Sequence, residues 1–362
     1  MMDYYLLLVV MVLFTALIMH GNREKNLKYV IVACLLLYAI YGLRNTYVIG
    51  DDTRTSYLSN FTRLIEIGWD RLGAYTGGRN ALFYYMTKAF SSYISTDYQL
   101  YISVIAAFVT ICFGRLIYKY SPNPVQSILY HFGLLYFTFH FSALKQSIAM
   151  AILMLAFDGI IEKKPVKFIF LVLLAGQFHF PAMIFLPAYW IAKIKPGRAY
   201  LLLLAGLLVV TFVFRNQIIN FLIKYYKDHE TNIDLSDVTF LRTKALIMIV
   251  IVAAAVVFRV PTAEDRQYVI LLQICGIAIA FQTFCGYNNI FERLADYYFQ
   301  FAVIFIPMVF DKNADRRSLL SWRFMQTADT FAPYLFCGFG IYRFLNVVRG
   351  DWHLSPFKFF FQ

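Results

Sequence analysis

Long apolar runs alternate with short polar segments along the whole chain. Several runs approach the roughly 20 mostly apolar residues that an α-helix needs to cross a bilayer. The ten-residue alternating segments of a membrane barrel are absent, so the pattern favours helices, which satisfy their backbone hydrogen bonds internally. We therefore expect an all-α, polytopic integral membrane protein with about twelve membrane helices, some of them short or re-entrant.

The predicted helices follow one another with short connections. In chain order the apolar runs cover 4–19, 27–43, 100–118, 125–141, 143–161, 166–178, 180–194, 199–214, 241–257, 268–285, 291–310 and 329–347. The runs at 166–178 and 180–194 are too short to span upright, so we expect a helical hairpin or two tilted helices there.

Basic residues set the predicted orientation. The loop after the first run carries Arg23, Lys25 and Lys28, which the positive-inside rule places in the cytoplasm. The first run lacks a basic n-region and a cleavage motif, so we expect a retained span with an extracytoplasmic N-terminus. The other short loops assigned to the inside also carry lysine or arginine, which makes the alternation self-consistent.

Two longer segments are predicted to lie outside the cytoplasm. The first, 44–98, separates the second and third predicted helices and contains a half-apolar piece, 80–94, that we expect to form an interfacial helix. The second is 215–240. No internal repeat and no separate soluble domain is visible, so residues 1–362 are predicted to form a single transmembrane domain.

Composition agrees with the membrane class. Hydrophobic residues make up 60% of the chain and charged residues 15%, against ~25% charged residues in ordinary soluble domains. The net charge of +12 is spread over short clusters between apolar runs, so we expect no nucleic-acid partner. The five cysteines lie in apolar runs without paired spacing and are predicted to be core residues.

Charged and polar residues are energetically costly in a bilayer, so those at the ends of predicted spans are candidates for a structural or functional role. In the predicted topology one set of them falls on the outer side at a common depth. This set comprises Arg44, Asp51, Asp52, Arg54, Lys145, Gln146, His179, Glu292, Arg293 and Asp296. Structural alternatives stay open for each of them: snorkelling to lipid phosphates, an ion pair between helices, or capping of a helix by aspartate.

The chemistry of this set suits a phosphate or diphosphate. Arginine binds phosphate through a planar fork and lysine binds it as a point charge. A nearby histidine or carboxylate can take a proton from an attacking hydroxyl group. Aromatic residues such as Tyr57 can pack on sugar faces, although they also form the interfacial belt of membrane proteins. Motifs for a P-loop, a zinc site or a serine elbow are absent, so we expect no metal and no other cofactor.

Several short motifs, in this order, carry a family resemblance. They are GLR with a following Gly-Asp and Tyr at 42–57, ALKQSIAMAI at 143–152, GQFHFPAMIFLP at 176–187 and FERLADYY at 291–298. Together they resemble the EpsG-like branch of the Wzy-type bacterial polysaccharide polymerases, over about residues 1–310. The family usually has Arg-Gln where this chain has Lys145-Gln146.

The resemblance implies a multi-pass glycosyltransferase of the bacterial inner membrane. Such an enzyme takes a growing glycan from undecaprenyl diphosphate and joins it to the next lipid-linked repeat unit on the periplasmic side. The product is a surface polysaccharide: the O-antigen of lipopolysaccharide, a capsule or an exopolysaccharide. The implied partners are undecaprenyl-diphosphate-linked oligosaccharides, and a chain-length regulator and flippase of the same pathway.

The resemblance and the predicted topology together give a hypothesis for the site. His179, Asp51 and Asp52 are the candidate catalytic bases. The candidate ligands of the diphosphate and glycan are Arg44, Arg54, Tyr57, Lys145, Gln146 and Arg293. A flippase or polysaccharide exporter is the main alternative and would place charges halfway through the spans, along a path open to both sides. An acyltransferase would need a catalytic histidine accessible to cytosolic donors.

Overall fold

The computed structural model describes most of the chain. The described residues are 3–19, 21, 23–78, 80–195, 197–218, 220, 243–262, 264–282, 289–311, 322–351 and 353–362. Across these ranges the protein is 80% helical and has no β-strand. The predicted all-α class is therefore confirmed.

The helices follow the apolar runs. In the first half of the chain they are α1 (Tyr4–Met19), α2 (Arg23–Gly42), α3 (Leu58–Glu66), α4 (Trp69–Thr76), α5 (Ala81–Tyr93), α6 (Tyr98–Tyr120), α7 (Pro124–Gly133), α8 (Tyr136–Phe139) and α9 (Leu144–Ile161). In the second half they are α10 (Pro165–Phe178), α11 (Ala188–Ile191), α12 (Arg198–Val213), α13 (Thr243–Phe258), α14 (Arg266–Phe281), α15 (Asn289–Phe299), α16 (Ala302–Val309) and α17 (Trp322–Gly350). A π-helical turn (Thr53–Tyr57) and a 3-10 segment (Phe180–Phe185) complete the set.

Within the described residues, three helical stretches are long and apolar enough to cross a membrane: Tyr98–Tyr120, Leu144–Ile161 and Thr330–Gly350. Seven shorter apolar helices of 10–17 residues accompany them. These lengths support a membrane protein. The total of about twelve spans and their orientation stay predictions.

Most predicted boundaries are close to the observed ones. The first apolar run coincides with α1, and the third and fifth runs differ from α6 and α9 by at most two residues at each end. The run at 291–310 is instead divided into α15 and α16. The break contains one polar residue, Gln300, between Phe299 and Phe301. A single polar residue in an apolar run does not predict the end of a helix, so the hydrophobic pattern alone gives no clear signal for it.

The run at 125–141 is also divided, and the structure shows why. After α7 the backbone of Leu135 takes a φ of 64°, in the left-handed region that ends a helix. Arg343 in α17 donates from Nη1 to the carbonyl oxygen of Gly133 at 2.7 Å. This bond satisfies one of the carbonyl groups that a helix end leaves without an intrahelical partner.

Segment 44–98 is mostly helical, and its predicted place outside the cytoplasm stays a prediction. It contains the π-helical turn and α3 to α5. The helix predicted within 80–94 is confirmed as α5, and its place at the membrane interface stays a prediction. Of the second predicted loop, 215–240, residues 219 and 221–240 lie outside the described residues.

The chain divides into two compact units. One comprises Met1–Gly159, Val166–Met183 and Thr330–Gln362, and the other Ile160–Pro165 and Ile184–Asp329. In the second unit α14 packs against α13 and α15. The single transmembrane domain predicted for residues 1–362 stays a prediction.

In the first unit α2 and α6 lie side by side and antiparallel. Gln99 and Ser103, near the start of α6, both donate to the carbonyl oxygen of Gly42 at the end of α2, at 3.0 and 2.7 Å. Further along the pair, Cys34 Sγ lies 3.8 Å from the carbonyl oxygen of Thr110. The end of α6 therefore lies beside the start of α2.

The close approach of α7 and α17 gives a test of this packing. A Cβ atom added at Gly133 would lie 2.6 Å from the Cα of Gly340, so Gly133→Ala forces two backbones apart. We expect it to destabilise the protein by about 1–3 kcal/mol through overpacking. Gly338→Ala is the control, because a Cβ there meets nothing within 4 Å. The measurement is the unfolding midpoint of each variant in detergent, and equal midpoints would contradict the packing.

Candidate functional site

A buried arginine joins three segments of the first unit. Arg44 follows α2 and has no exposed surface. Its guanidinium donates to the carbonyl oxygens of Tyr41, of Phe141 at 2.9 Å and of Ile49 at 3.4 Å. Its Cζ lies 5.0 Å from the Tyr41 ring centroid and 4.7 Å from that of Phe141. One side chain therefore holds the end of α2 against the next loop and against the chain before α9.

These contacts bear on the role predicted for Arg44. Burial is the largest influence on the pKa of Arg44 and lowers it, whereas nearby tyrosines, Tyr41 first, raise it. Arginine still stays protonated in proteins, and a buried charge is costly unless hydrogen bonds compensate it. The donors of Arg44 contact protein acceptors and none of the side chain is exposed, which favours a structural role. The predicted role of Arg44 as a diphosphate ligand stays a prediction.

The C-terminal segment of the chain returns to the same loop. An antiparallel bridge pairs Arg44 with Phe359, and the backbone N–H of Asn45 donates to the carbonyl oxygen of Lys358 at 2.8 Å. The last residues thus form part of the wall around the buried arginine.

The π-helical turn Thr53–Tyr57 presents two of the predicted site residues. Thr53 is fully buried, and its carbonyl oxygen accepts a hydrogen bond from the Tyr98 hydroxyl group at 2.6 Å. This anchor fixes the start of the turn, which carries Arg54 and Tyr57. Single π-helical turns occur frequently at functional sites.

Lys145, at the start of α9, lies among aromatic rings. Its Nζ donates to the Tyr84 hydroxyl group at 2.7 Å and lies 4.4 Å from the Tyr84 ring centroid. The Phe83 and Tyr57 centroids are 5.2 and 6.0 Å from the same atom. Cations are attracted to ring faces at such distances. We call these four residues (Lys145, Tyr57, Phe83 and Tyr84) the lysine–aromatic cluster.

His179 follows α10 and is tied to the helix that carries two of these rings. The next residue, Phe180, donates its backbone N–H to Asn80 Oδ1 at 2.8 Å. Asn80 has a φ of 50°, a conformation that asparagine tolerates, and immediately precedes α5. Helix α5 therefore connects the His179 segment to the lysine–aromatic cluster.

A second polar group lies beside the π-helical turn and consists of Asp51, Arg54 and His353. Arg54 Nη2 is 3.1 Å from His353 Nδ1 and 3.5 Å from Asp51 Oδ1. The Asp51 side chain is 55% exposed and that of Arg54 27% exposed. The group is therefore accessible, unlike Arg44. We call it the Asp–Arg–His group.

His353 is a candidate that the sequence analysis missed. It lies 299 residues from Arg54, in a basic and aromatic tail without a motif. Only the return of the C-terminal segment to the loop after α2, where Gly50 N–H donates to the His353 carbonyl oxygen at 3.0 Å, brings it there.

The remaining predicted residues are placed differently. Asp52 is the N-cap of the π-helical turn but makes no side-chain cap hydrogen bond. Gln146 is buried beside Lys145 in sequence. Arg293 is in α15, in the second unit, and its predicted role as a substrate ligand stays a prediction. In the same helix Asp296 is buried and forms an ion pair with Lys244 at 2.8 Å, the structural alternative considered for that segment.

The arrangement suits acid–base and phosphate chemistry. Arg54 and Lys145 are cations of the kinds that bind phosphate groups in proteins. Asp51, His179 and His353 provide groups that can accept a proton. Among the described residues, no set of three or more histidine, cysteine or acidic side chains is arranged to hold a metal ion.

A protein-family model described as the EpsG family matches residues 27–325. This range covers most of the chain and includes all of the predicted site residues, whereas His353 lies beyond it. Neither a curated protein nor a solved structure matches the chain.

The role of Arg44 can be tested by its replacement. Arg44→Lys keeps the charge but removes the fork that reaches several carbonyl oxygens, each of which costs about 1–3 kcal/mol when left unsatisfied. We expect a lower unfolding midpoint and less monodisperse protein by size-exclusion chromatography in detergent. Arg71→Lys is the control, because the Arg71 side chain is 83% exposed on α4. Equal stability of the two variants would show that Arg44 does not organise the unit.

Proposed function

Since the chain belongs to the EpsG family, whose membership indicates a polysaccharide polymerase, we propose that it is a glycosyltransferase that polymerises lipid-linked oligosaccharide repeat units. The donor is a glycan on undecaprenyl diphosphate, and the acceptor is the next lipid-linked repeat unit. The reaction takes place on the periplasmic face of the bacterial inner membrane. It extends a surface polysaccharide such as an O-antigen, a capsule or an exopolysaccharide.

The lysine–aromatic cluster is the observation that carries this proposal. The half-buried ammonium group of Lys145 is held at one place by the rings of α5 and the π-helical turn. A fixed cation stabilises negative charge that develops on a leaving diphosphate. The rings beside it offer the flat apolar faces on which sugars pack. A diphosphate-linked glycan presents both kinds of group in one molecule.

Arg54 supplies a second cation. Because it is partly exposed, it can reach a substrate phosphate with its planar fork, which lysine does not have. Its contacts with Asp51 and His353 orient the guanidinium before substrate binds. Lys145 and Arg54 are both fixed by the π-helical turn: Arg54 is part of it, and the Lys145 backbone N–H donates to the Tyr57 hydroxyl group at 3.4 Å.

The proposed reaction is a displacement at the anomeric carbon of the donor. An acceptor hydroxyl oxygen forms the new glycosidic bond, the bond between that carbon and the diphosphate oxygen breaks, and undecaprenyl diphosphate leaves with the bonding electrons. The hydroxyl proton passes to a base, for which His179, Asp51 and Asp52 are the proposed candidates. His353 joins them through its contacts with Arg54 and Asp51.

The other predicted residues keep supporting roles in the proposal. Gln146 and Arg293 are proposed substrate ligands, and Tyr57 is proposed to pack on the glycan. Arg44 acts through the loop that it holds. A flippase and a chain-length regulator of the same pathway are the proposed partners.

Replacement of Lys145 tests the proposal directly. Lys145→Met removes the cation but keeps an unbranched side chain, and we expect polymerisation to fall about 100-fold, as for loss of one group that stabilises a developing anion. Lys145→Arg, which keeps the charge, should retain most of the activity. The measurement is the length and amount of glycan formed by purified protein in nanodiscs supplied with lipid-linked repeat units.

The control for this experiment is Lys164→Met, because the Lys164 side chain is 64% exposed and forms an ion pair with Glu162. Both faces of a nanodisc are open, so a polymerase needs no transport of its substrate there. Full activity of Lys145→Met would remove the cluster from the site. Absence of any elongation by the unmodified protein would favour a flippase or an exporter.

A further inference from the structure

An apolar groove lies between α2 and α6, away from the candidate site. It has a volume of about 540 Å³ and is lined by one face of each helix. Three of its large apolar side chains are at least half exposed: Ile31 and Leu35 on α2 and Ile111 on α6. In a membrane protein such a face meets lipid, so the groove is open to lipid chains along its length.

The close packing of α2 against α6 forms the bottom of the groove. A Cβ atom at Gly114 would lie 2.6 Å from Cys34 Sγ, so α2 and α6 approach closely at this level. Residues on both sides of the contact, including Val30 and Arg115, complete the lining. The groove is therefore a preformed feature on the surface of the α2–α6 helix pair.

A cluster of cations stands at one end of this groove. Arg115, which lines the groove, forms an ion pair with Asp158 near the end of α9. Lys119 and Lys167 contact the same carboxylate at 3.0 and 3.5 Å. The Asp158 side chain is only 3% exposed. One buried carboxylate thus gathers three cations from two neighbouring helices, and one of these cations belongs to the groove.

The cations remain accessible although they share a partner. The side chains of Arg115, Lys119 and Lys167 are 40%, 38% and 39% exposed. Three positive groups and one carboxylate leave an excess of positive charge. Basic clusters beside membrane helices attract the phosphates of anionic lipids. Both arginine and lysine side chains bind phosphate groups.

We propose that this groove and its basic end form a binding site for one anionic phospholipid. An acyl chain lies in the groove against Leu35 and Ile111, and the phosphate group contacts Arg115, Lys119 and Lys167. A helix of another protein would fill the groove but would provide nothing for the cations. A free phosphate would meet the cations but leave the groove empty. A phospholipid matches both features at once.

The site is distinct from the proposed active site. Tyr98, at the start of α6, anchors the π-helical turn of that site, and Arg115 follows 17 positions later on the same helix. At 1.5 Å per residue this separates them by about 26 Å along the helix axis. The charge pattern predicts that the basic end of α6 faces the cytoplasm. Loss of lipid binding would therefore leave the polymerase proposal untouched.

The test measures the lipid that stays with purified full-length protein. The protein is incubated with mixed micelles of phosphatidylglycerol and phosphatidylcholine in equal amounts, then washed in detergent, and bound lipid is counted by native mass spectrometry. We expect one phosphatidylglycerol per chain and little phosphatidylcholine. Glycerol phosphate, the headgroup without acyl chains, is the third probe and should not be retained.

Two kinds of variant separate the two halves of the site. The double variant Arg115→Gln and Lys119→Gln should weaken phosphatidylglycerol retention about fivefold for each cation removed. Ile111→Trp fills the groove and should weaken it without a change of charge. The controls are Arg71→Gln, on exposed α4, and Val104→Trp, at a half-exposed position of α6 outside the groove lining.

Each outcome decides the proposal. Selective loss in both site variants, with both controls unchanged, supports it. Equal retention of the two phospholipids, or unchanged binding in both site variants, overturns it. Two further outcomes would replace the phospholipid by another occupant. Retention of glycerol phosphate as tight as that of the lipid would overturn the lipid site and leave only a phosphate site. A dimer whose interface covers the groove and excludes lipid would show that a second copy of the chain occupies the groove. If the double variant does not fold, the exposed substitution at Ile111 still gives the answer.

Discussion

The hydrogen bonds of a buried guanidinium hold the first unit together. Arg44 has no exposed surface, and its donors reach carbonyl oxygens of the chain before it, after it and nearly a hundred residues away. A charge in such a place is tolerated only while these acceptors stay in position. The same bonds also keep the loop after α2 and the turn before α9 in place, so these segments depend on Arg44 as Arg44 depends on them. Arg54 and Tyr57 follow the first of these segments along the chain, and Lys145 follows the second.

This arrangement separates the buried cation, Arg44, from the cations that we propose contact the substrate. Arginine suits the structural position because its fork reaches several acceptors at once. Lys145 and Arg54, which remain partly accessible, are available to an anion. At the other end of α6, three cations gather around Asp158 where the apolar groove ends. In each case a basic residue is held by groups that the fold supplies before any ligand arrives.

The sequence predicted much of the fold and drew attention to several residues that the structure brings into contact. Apolar periodicity placed α1, α6 and α9 well, because long runs of hydrophobic residues have few other structures open to them in a membrane. It could not show the break at Leu135, where the residues on both sides are equally apolar. Motif spacing and loop charges drew attention to Lys145 and Arg54, but not to the burial of Arg44, which depends on carbonyl groups distant in sequence. His353 could not be found from local pattern, because only the return of the C-terminal segment brings it to Arg54.

The most direct measurement is an electron cryo-microscopy structure of the protein in nanodiscs with an unreactive undecaprenyl-diphosphate glycan. The account predicts density for the diphosphate beside Lys145 Nζ and the Arg54 guanidinium, and for a sugar against the rings of Tyr57 and Tyr84. Arg44 should still contact the carbonyl oxygen of Phe141. A diphosphate bound to Arg44, or bound at a place remote from Lys145 and Arg54, would contradict it.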